Sequence, residues 1–491
     1  MKDIVLTTIN AKWIHPSLSL RLLKANLGCL EEACEIIEFA LRQPLAEILQ
    51  PILAARARIL GISVSIWNHT AAIELLKELE KAWADGGTKP VVVLGGPEVS
   101  HLPAEAEIFR YADYVIRGEG ETAFRTLCED ILQSDNGLSG GSRTLRENKF
   151  INLRTNLNAV KSAYYLYTDE DLAKKLIYVE ASRGCPFNCG FCLSSVKDGQ
   201  DDFVREFPLE QFLYEMDDLV RRGAKTFKFL DRTFNINIKR AVQIMGFFLE
   251  KIKERNGGIV VHFETVPFLF PAELREILTR FPPGTLRLET GIQTLNSEVA
   301  ARIGRPSNPE KELEAVRFLR EKTNAIIHAD LIAGLPGEDI ASFGNGFNRL
   351  WEALYAGESS PSSVHPADGG QCSANAEIKR TEIQLGILKL LPGAPIARCG
   401  ESYVMRYNPY PPYEVLETSS INAAGMRRIK NFARFWELIV NRGLLNFIGY
   451  KPEAAGMFEY FMKLSDSLYN HFGRNWGIDK NELKTVIKKY V

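Results

Sequence analysis

Net charge, long hydrophobic runs and cysteine are all scarce in this 491-residue chain. The 60 Lys and Arg residues stand against 61 Asp and Glu, a balance of -1, which excludes a globally basic nucleic-acid binder and leaves room only for a local patch. No apolar run approaches the roughly 18 residues that span a bilayer, so no membrane-crossing segment is expected. The first residues, MKDIVLTTINAKW, carry Asp3 and lack an apolar export core, which makes a reducing cytoplasm the expected compartment and disulfides unexpected. The composition, 45% apolar, 10% aromatic and 25% charged, excludes a largely disordered or collagen-like chain. At roughly 150 residues per domain, the length suggests about three domains.

What is present begins with alternating periods. Short apolar strands are expected over 4–9, 34–39, 59–66, 91–94 and 113–116, with helical stretches such as 18–30 and 71–84 between them. Nearly all-apolar strands separated by helices imply a parallel sheet covered on both faces, a doubly wound domain over residues 1–140 whose ligands sit beyond the carboxyl ends of the strands. A Gly- and Ser-rich stretch, SDNGLSGGSRTLREN at 134–148, breaks the pattern and places a linker over 141–170. Six further strand and helix units follow, with strands near 176–181, 226–230, 259–264, 285–289, 326–332 and 383–388. Six units suit a partial barrel, open on one side, over 171–400. The stretch 358–377 is Ser-, Pro- and Gly-rich and reads as a loop. Beyond it, 401–491 reads as a helical domain, with helices over 423–440, 454–468 and 479–490.

Although cysteine is sparse, three of the eight residues fall within eight positions: Cys185-Pro-Phe-Asn-Cys189-Gly-Phe-Cys192, directly after the expected first barrel strand. In a reducing compartment such packing points to metal or redox chemistry. A structural zinc site usually has four ligands in two pairs, and the chain has no second pair. Three thiolates with no fourth imply a 4Fe-4S cluster with one iron open. The spacing Cys-x3-Cys-x2-Cys, with an aromatic before the last cysteine, resembles the signature of the radical S-adenosylmethionine (radical SAM) enzymes over roughly residues 170 to 400. That resemblance implies that Cys185, Cys189 and Cys192 hold the cluster. It also implies that SAM chelates the open iron and is cleaved to a 5'-deoxyadenosyl radical. It assigns Phe191 to the region of the adenine and Asp231, at the end of the second barrel strand, to the SAM amino group. Glu264, Glu289 and Gln293 are expected at the barrel mouth near ribose or substrate. Gly334, in AspLeuIleAlaGlyLeuProGly (330–337), is expected beside adenine.

Within that family, a doubly wound domain in front of the barrel commonly binds cobalamin. The residues carrying this likeness are Ser63 and Ser65, toward the end of the expected strand over 59–66, and Gly95, Gly96, Pro97, Glu98, Gly118 and Glu119, in loops after expected strands. The same likeness makes a cobalamin-dependent methyltransferase the leading reading. The other readings are a radical SAM enzyme that transfers no methyl group and a non-catalytic iron-sulfur or cobalamin sensor. A small-molecule substrate and an electron donor such as flavodoxin or ferredoxin are the expected partners.

Gly118 to Ala123 matches a dinucleotide fingerprint in spacing, but Glu119 and Glu121 would repel a pyrophosphate at the helix start. The loop around His15 lacks the Asp and Gly of the loop that supplies an axial histidine in many cobalamin proteins, so cobalamin without a histidine ligand is expected. Cys29, Cys34 and Cys128 are expected to be buried small side chains, and Cys372 and Cys399 stay unassigned.

Overall fold

The computed structural model describes residues 2–134, 148–196, 204–355, 381–444 and 456–490. In the first domain, β1 (Ile4–Asn10), β2 (Cys34–Ala40), β3 (Ile59–Ser63), β4 (Val91–Gly95), β5 (Tyr114–Arg117) and β6 (Phe150–Asn152) form one sheet in the order β2-β1-β3-β4-β5-β6. Every pairing in it is parallel. Alternate side chains of β1 serve two cores: Ile4 and Leu6 enter one, Val5 and Ile9 the other. Both faces are therefore covered, which is why all seven residues of β1 are buried. Helices Leu18–Ala25 and Glu121–Ser134 cover one face, and Leu45–Ala55 and His69–Ala84 the other. The order is that of flavodoxin-like folds, with its reversal between β1 and β3, where a ligand crevice opens at the carboxyl ends of the strands. Strand β6 comes from the stretch that the sequence assigns to a linker, and Ile151 pairs with Ile116 of β5. Residues 135–147 of that stretch lie outside the described residues.

The second sheet starts with β7 (Ile177–Val179). A short antiparallel ribbon, β8 (Ser182–Gly184) against β9 (Val204–Glu206), follows. Then come β10 (Thr226–Phe229), β11 (Val260–Thr265), β12 (Leu286–Gln293), β13 (Ile326–Ala333) and β14 (Thr381–Ile387). The order β14-β13-β12-β11-β10-β7 is all parallel, and the edge strands β14 and β7 do not pair with each other, so the six-stranded barrel is open as expected. Side-chain alternation divides its faces. Leu286, Leu288 and Ile292 of β12 join the apolar core, while Arg287 and Glu289 point the opposite way, to the barrel interior. The stretch 358–377, with Cys372, lies outside the described residues.

Helices Ala423–Trp436, Met457–Phe472 and Lys480–Ile487 form the tail. They share one continuous core with the barrel: Trp436 meets Phe347 at 4.8 Å between ring centroids, and Phe432 meets Phe461 at 5.1 Å. Helix Ala423–Trp436, which carries Arg427, Arg428, Lys430 and Arg434 beside aromatic residues, is packed into this core, with Phe435 and Trp436 buried and Arg428 paired to Asp466 at 2.8 Å. Cys34 and Cys128 are buried, and burial pushes the Cys34 thiol up to about 12. Cys29 is exposed, contrary to expectation, because the short helical turn Gly28–Ala33 carries it at the surface.

Candidate cluster loop and interdomain cavity

The cysteine loop leaves the end of β8, where Gly184 adopts φ +97°, a conformation glycine reaches without strain. It is tied down on two sides. The Gly190 N–H donates to the Ile303 carbonyl at 2.8 Å, and the Ile396 N–H donates to the Gly190 carbonyl at 2.7 Å. Gly304 admits the loop, since a Cβ there would lie 2.8 Å from the Asn188 carbonyl oxygen. Cys185 Sγ stands 3.3 Å from Thr233 Oγ1, and Arg305 Nη1 reaches Cys189 Sγ at 3.9 Å. Burial pushes the Cys189 thiol up, against the pull of the Arg305 guanidinium. Among the described residues no three His, Cys, Asp or Glu side chains converge closely enough to hold a single ion. Phe191 is half-buried against the barrel core. Sequence reading missed Thr233 and Arg305, whose one signal was position: just after β10 and just after the helix Ser297–Arg302.

The acidic candidates separate. Asp231 is buried and already satisfied: it accepts from the Ala181 N–H at 2.9 Å and from Ser182 Oγ at 2.6 Å, so it braces the root of the cluster loop. Burial raises its carboxyl to about 6. Glu289 faces the barrel interior, where Lys228 Nζ lies 2.9 Å and His262 Nε2 3.4 Å from its Oε2; the His262 ring and the Lys228 ammonium hold it down at about 2. Glu264 lies beside it in register, and burial pushes its carboxyl up. Gln293 takes φ +68° at the register shift of β12. At Gly334, φ +85°, a Cβ would come within 2.6 Å of Val415 Cγ1, so this glycine lets the C-terminal segment approach closely.

A cavity of about 490 Å³ lies between the carboxyl edge of the first sheet and the barrel. Ser63, Gly95, Gly96, Pro97, Gly118 and Glu119 line it from the first domain, and Glu180, Arg183, Leu193, Leu230 and Arg232 from the barrel. Gly96 has φ +103°, and a Cβ there would sit 2.4 Å from the Val64 carbonyl oxygen, so only glycine closes this turn. Apolar side chains such as Leu6, Leu20, Leu23 and Phe124 complete the wall. Glycine turns, aliphatic walls and a few hydroxyls fit a large ligand held mainly by contact. Two of the expected residues lie elsewhere. Ser65 does not line the cavity; its N–H donates to Asn68 Oδ1 at 2.8 Å. Glu98 is turned away, accepting from Tyr413 OH at 2.6 Å and lying 2.8 Å from His69 Nδ1.

At the seam, Arg183 reaches Glu180 and Glu121 at 2.6 Å each and Glu119 at 3.4 Å, and Arg205 also pairs with Glu119. Although burial opposes it, the Arg205 and Arg183 guanidiniums keep the Glu119 carboxyl below the usual range. His15 does not line the cavity; its Nδ1 lies 2.8 Å from Tyr178 OH, in the barrel. Sequence reading missed this network, since its members are up to 86 residues apart.

Comparison with known proteins agrees with this division. Residues 4–128 match the B12 binding domain and residues 179–348 the radical SAM superfamily. The chain is 28% identical over 262 residues to the uncharacterized methyltransferase PH0819 of Pyrococcus horikoshii, a match covering 50% of this chain and 54% of that protein. It thus spans about half the length of that curated relative. Among solved structures it resembles the radical S-adenosylmethionine methyltransferase TsrM from Kitasatospora setae, with TM-score 0.56 and 17% identity, over 84% of this chain and 80% of that one. It also resembles the cobalamin-dependent S-adenosylmethionine radical enzyme OxsB, with TM-score 0.64 and 15% identity, over 99% of this chain and 79% of that one. Both likenesses concern the fold. With a B12-binding domain ahead of a radical SAM domain, the chain belongs to the cobalamin-binding radical SAM enzymes.

Proposed function

We propose that the protein is a cobalamin-dependent radical SAM methyltransferase acting on a small molecule. The observation that carries this reading is the cavity walled jointly by the B12-binding domain and the barrel, a few residues from the cysteine loop. When bound, the 4Fe-4S cluster and SAM supply one-electron cleavage of SAM, and cobalamin supplies a methyl carrier. Cys185, Cys189 and Cys192 hold the cluster, with Phe191 beside it and Arg305 setting a positive charge against Cys189. Asp231 fixes the strand end from which the loop springs. Ser63, Gly95, Gly96, Pro97, Gly118 and Glu119 form the corrinoid side of the cavity, and Leu230 and Arg232, at the end of β10, turn the cavity toward the barrel. Glu264, Glu289, Gln293 and Gly334 belong to the SAM and substrate side. Flavodoxin or ferredoxin is the proposed electron donor.

Anaerobic reconstitution tests the reading. About four irons per chain are expected, together with 5'-deoxyadenosine, S-adenosylhomocysteine and label transfer from methyl-labelled SAM to an acceptor in cell extract. Cys189→Ala should lose the cluster. Formation of 5'-deoxyadenosine without S-adenosylhomocysteine or label transfer would leave a radical enzyme that transfers no methyl group.

A further inference from the structure

A second cavity, of about 450 Å³, adjoins the interdomain cavity, and Leu22 and Glu180 line both. Its walls come from helix Leu209–Arg221 of the barrel, from the segment 157–165 that leads out of the first domain, and from the strand end at Glu180. Along the helix, Gln211, Tyr214, Glu215 and Asp218 follow the i, i+3, i+4, i+7 spacing of one face, and all four line the cavity. The buried residues of the same helix, Phe212, Met216, Leu219 and Val220, enter the barrel core. A helix face covered by another chain segment is ordinarily apolar; this one is polar and stands off from its cover, which leaves the space open. The covering segment is fixed by Tyr164, whose hydroxyl donates to the Glu180 carbonyl at 3.2 Å and accepts from the Glu180 N–H at 3.1 Å.

The lining is rich in rings: Tyr164, Tyr165, Phe207, Phe212 and Tyr214. Tyr214 is 67% exposed and Tyr165 44%, so two large rings of one cavity are left without a cover of protein. Three acids and one lysine also line it. Lys161 is taken by Glu31 at 2.8 Å, Glu180 by Arg183 at 2.6 Å, and Asp218 by Arg221 at 3.1 Å and Arg222 at 3.5 Å. Of the lining acids, Glu215 alone has no cationic partner among the described residues. Its partners are neutral: Gln211 Nε2 at 2.6 Å and the Ser162 hydroxyl. Burial pushes its carboxyl up. A half-buried carboxylate without a counter-charge costs stability, and a ligand that carries the counter-charge removes that cost.

We infer that this second cavity is a binding site for an organic cation, an amine on an apolar body, with the nitrogen at Glu215 and the body against the tyrosine and phenylalanine rings. An ammonium gives Glu215 the charge-assisted hydrogen bond that its neutral partners cannot, and the ring faces attract both the cation and its apolar body. An anion would face Glu215 with no free cation to receive it. The lining shares no residue with the cysteine loop or with the acids of the barrel mouth, so the inference does not rest on the methyltransferase reading.

Phenethylamine, phenylacetate and phenethyl alcohol test it, since they carry a cation, an anion and a neutral group on the same ring and arm. Calorimetric titration of the full-length protein should give saturable, one-to-one binding of phenethylamine and none of phenylacetate. The alcohol should bind roughly tenfold more weakly than the amine, the loss of one hydrogen bond to a charged group. Glu215→Gln should weaken the amine by a similar factor and leave the alcohol unchanged, whereas Tyr214→Ala should weaken both. Excess SAM should leave the amine titration as it was. No saturable binding of phenethylamine, equally tight binding of phenylacetate, or an unaltered amine affinity in Glu215→Gln overturns the inference. Competition by SAM does so too, because the amine would then sit in the barrel. The alcohol serves as the folding control: if Glu215→Gln loses both ligands together, the shape of the cavity and not its charge is responsible, and the assignment to a cation falls. None of these measurements requires cobalamin, the cluster or methyl transfer.

Discussion

Asp231 shows how a residue's type and its role can part company. An acid at the end of β10 reads as a partner for an ammonium, yet in the fold its two oxygens are spent on Ala181 and Ser182. Its carboxyl is raised to about 6 from the ordinary 3.8, so protonation is favoured more in the folded than in the unfolded chain. The corresponding stability is full below pH about 4 and is lost as pH rises through about 6. Thermal midpoints of the wild type should therefore fall across that window relative to those of Asp231→Asn; parallel curves would remove the assignment. His15 illustrates the converse, a residue whose missing neighbours were informative. With Nδ1 engaged by Tyr178 OH, His15→Ala should leave the visible spectrum of bound hydroxocobalamin unaltered.

At the scale of elements, the cysteine loop was legible because its information is local: three thiols within eight residues specify one loop whatever surrounds it. The doubly wound strands were legible for a related reason, since burial on both faces imposes unbroken apolar runs such as those of β1, β3 and β4. Strand β6 was not, because three residues, Phe150–Asn152, carry no period and join the sheet only through pairing with β5. The turn after β4 belongs between these cases. Gly95-Gly96 was singled out as a close-approach motif, and the fold shows Gly96 to be required by its own backbone, through the Val64 carbonyl. Gly96→Ala should cost roughly 1–3 kcal/mol in stability and weaken corrinoid binding as followed by titration. Unchanged affinity would detach this turn from the ligand.

On the scale of the whole molecule, Arg183 joins the parts. It holds Glu180 of the barrel and Glu121 and Glu119 of the first domain in one half-buried network beside the cavity. Removing one member of such a network strands the others, at a cost of about 3–5 kcal/mol. Arg183→Met should lower the denaturation midpoint and loosen corrinoid binding, whereas a midpoint equal to that of the wild type would make the network inert. The tail is joined more firmly still, since Phe432, Trp436 and Phe461 share the barrel's own core. The sequence by itself determined the succession of parallel α/β units, the three-thiol loop and the glycine turns, because each depends on neighbours along the chain. Tertiary structure alone decided which acids are free and which are spent, where the two domains enclose a cavity, and which side chains the barrel turns inward. Those outcomes depend on register and packing between residues tens to hundreds of positions apart, which no local spacing encodes.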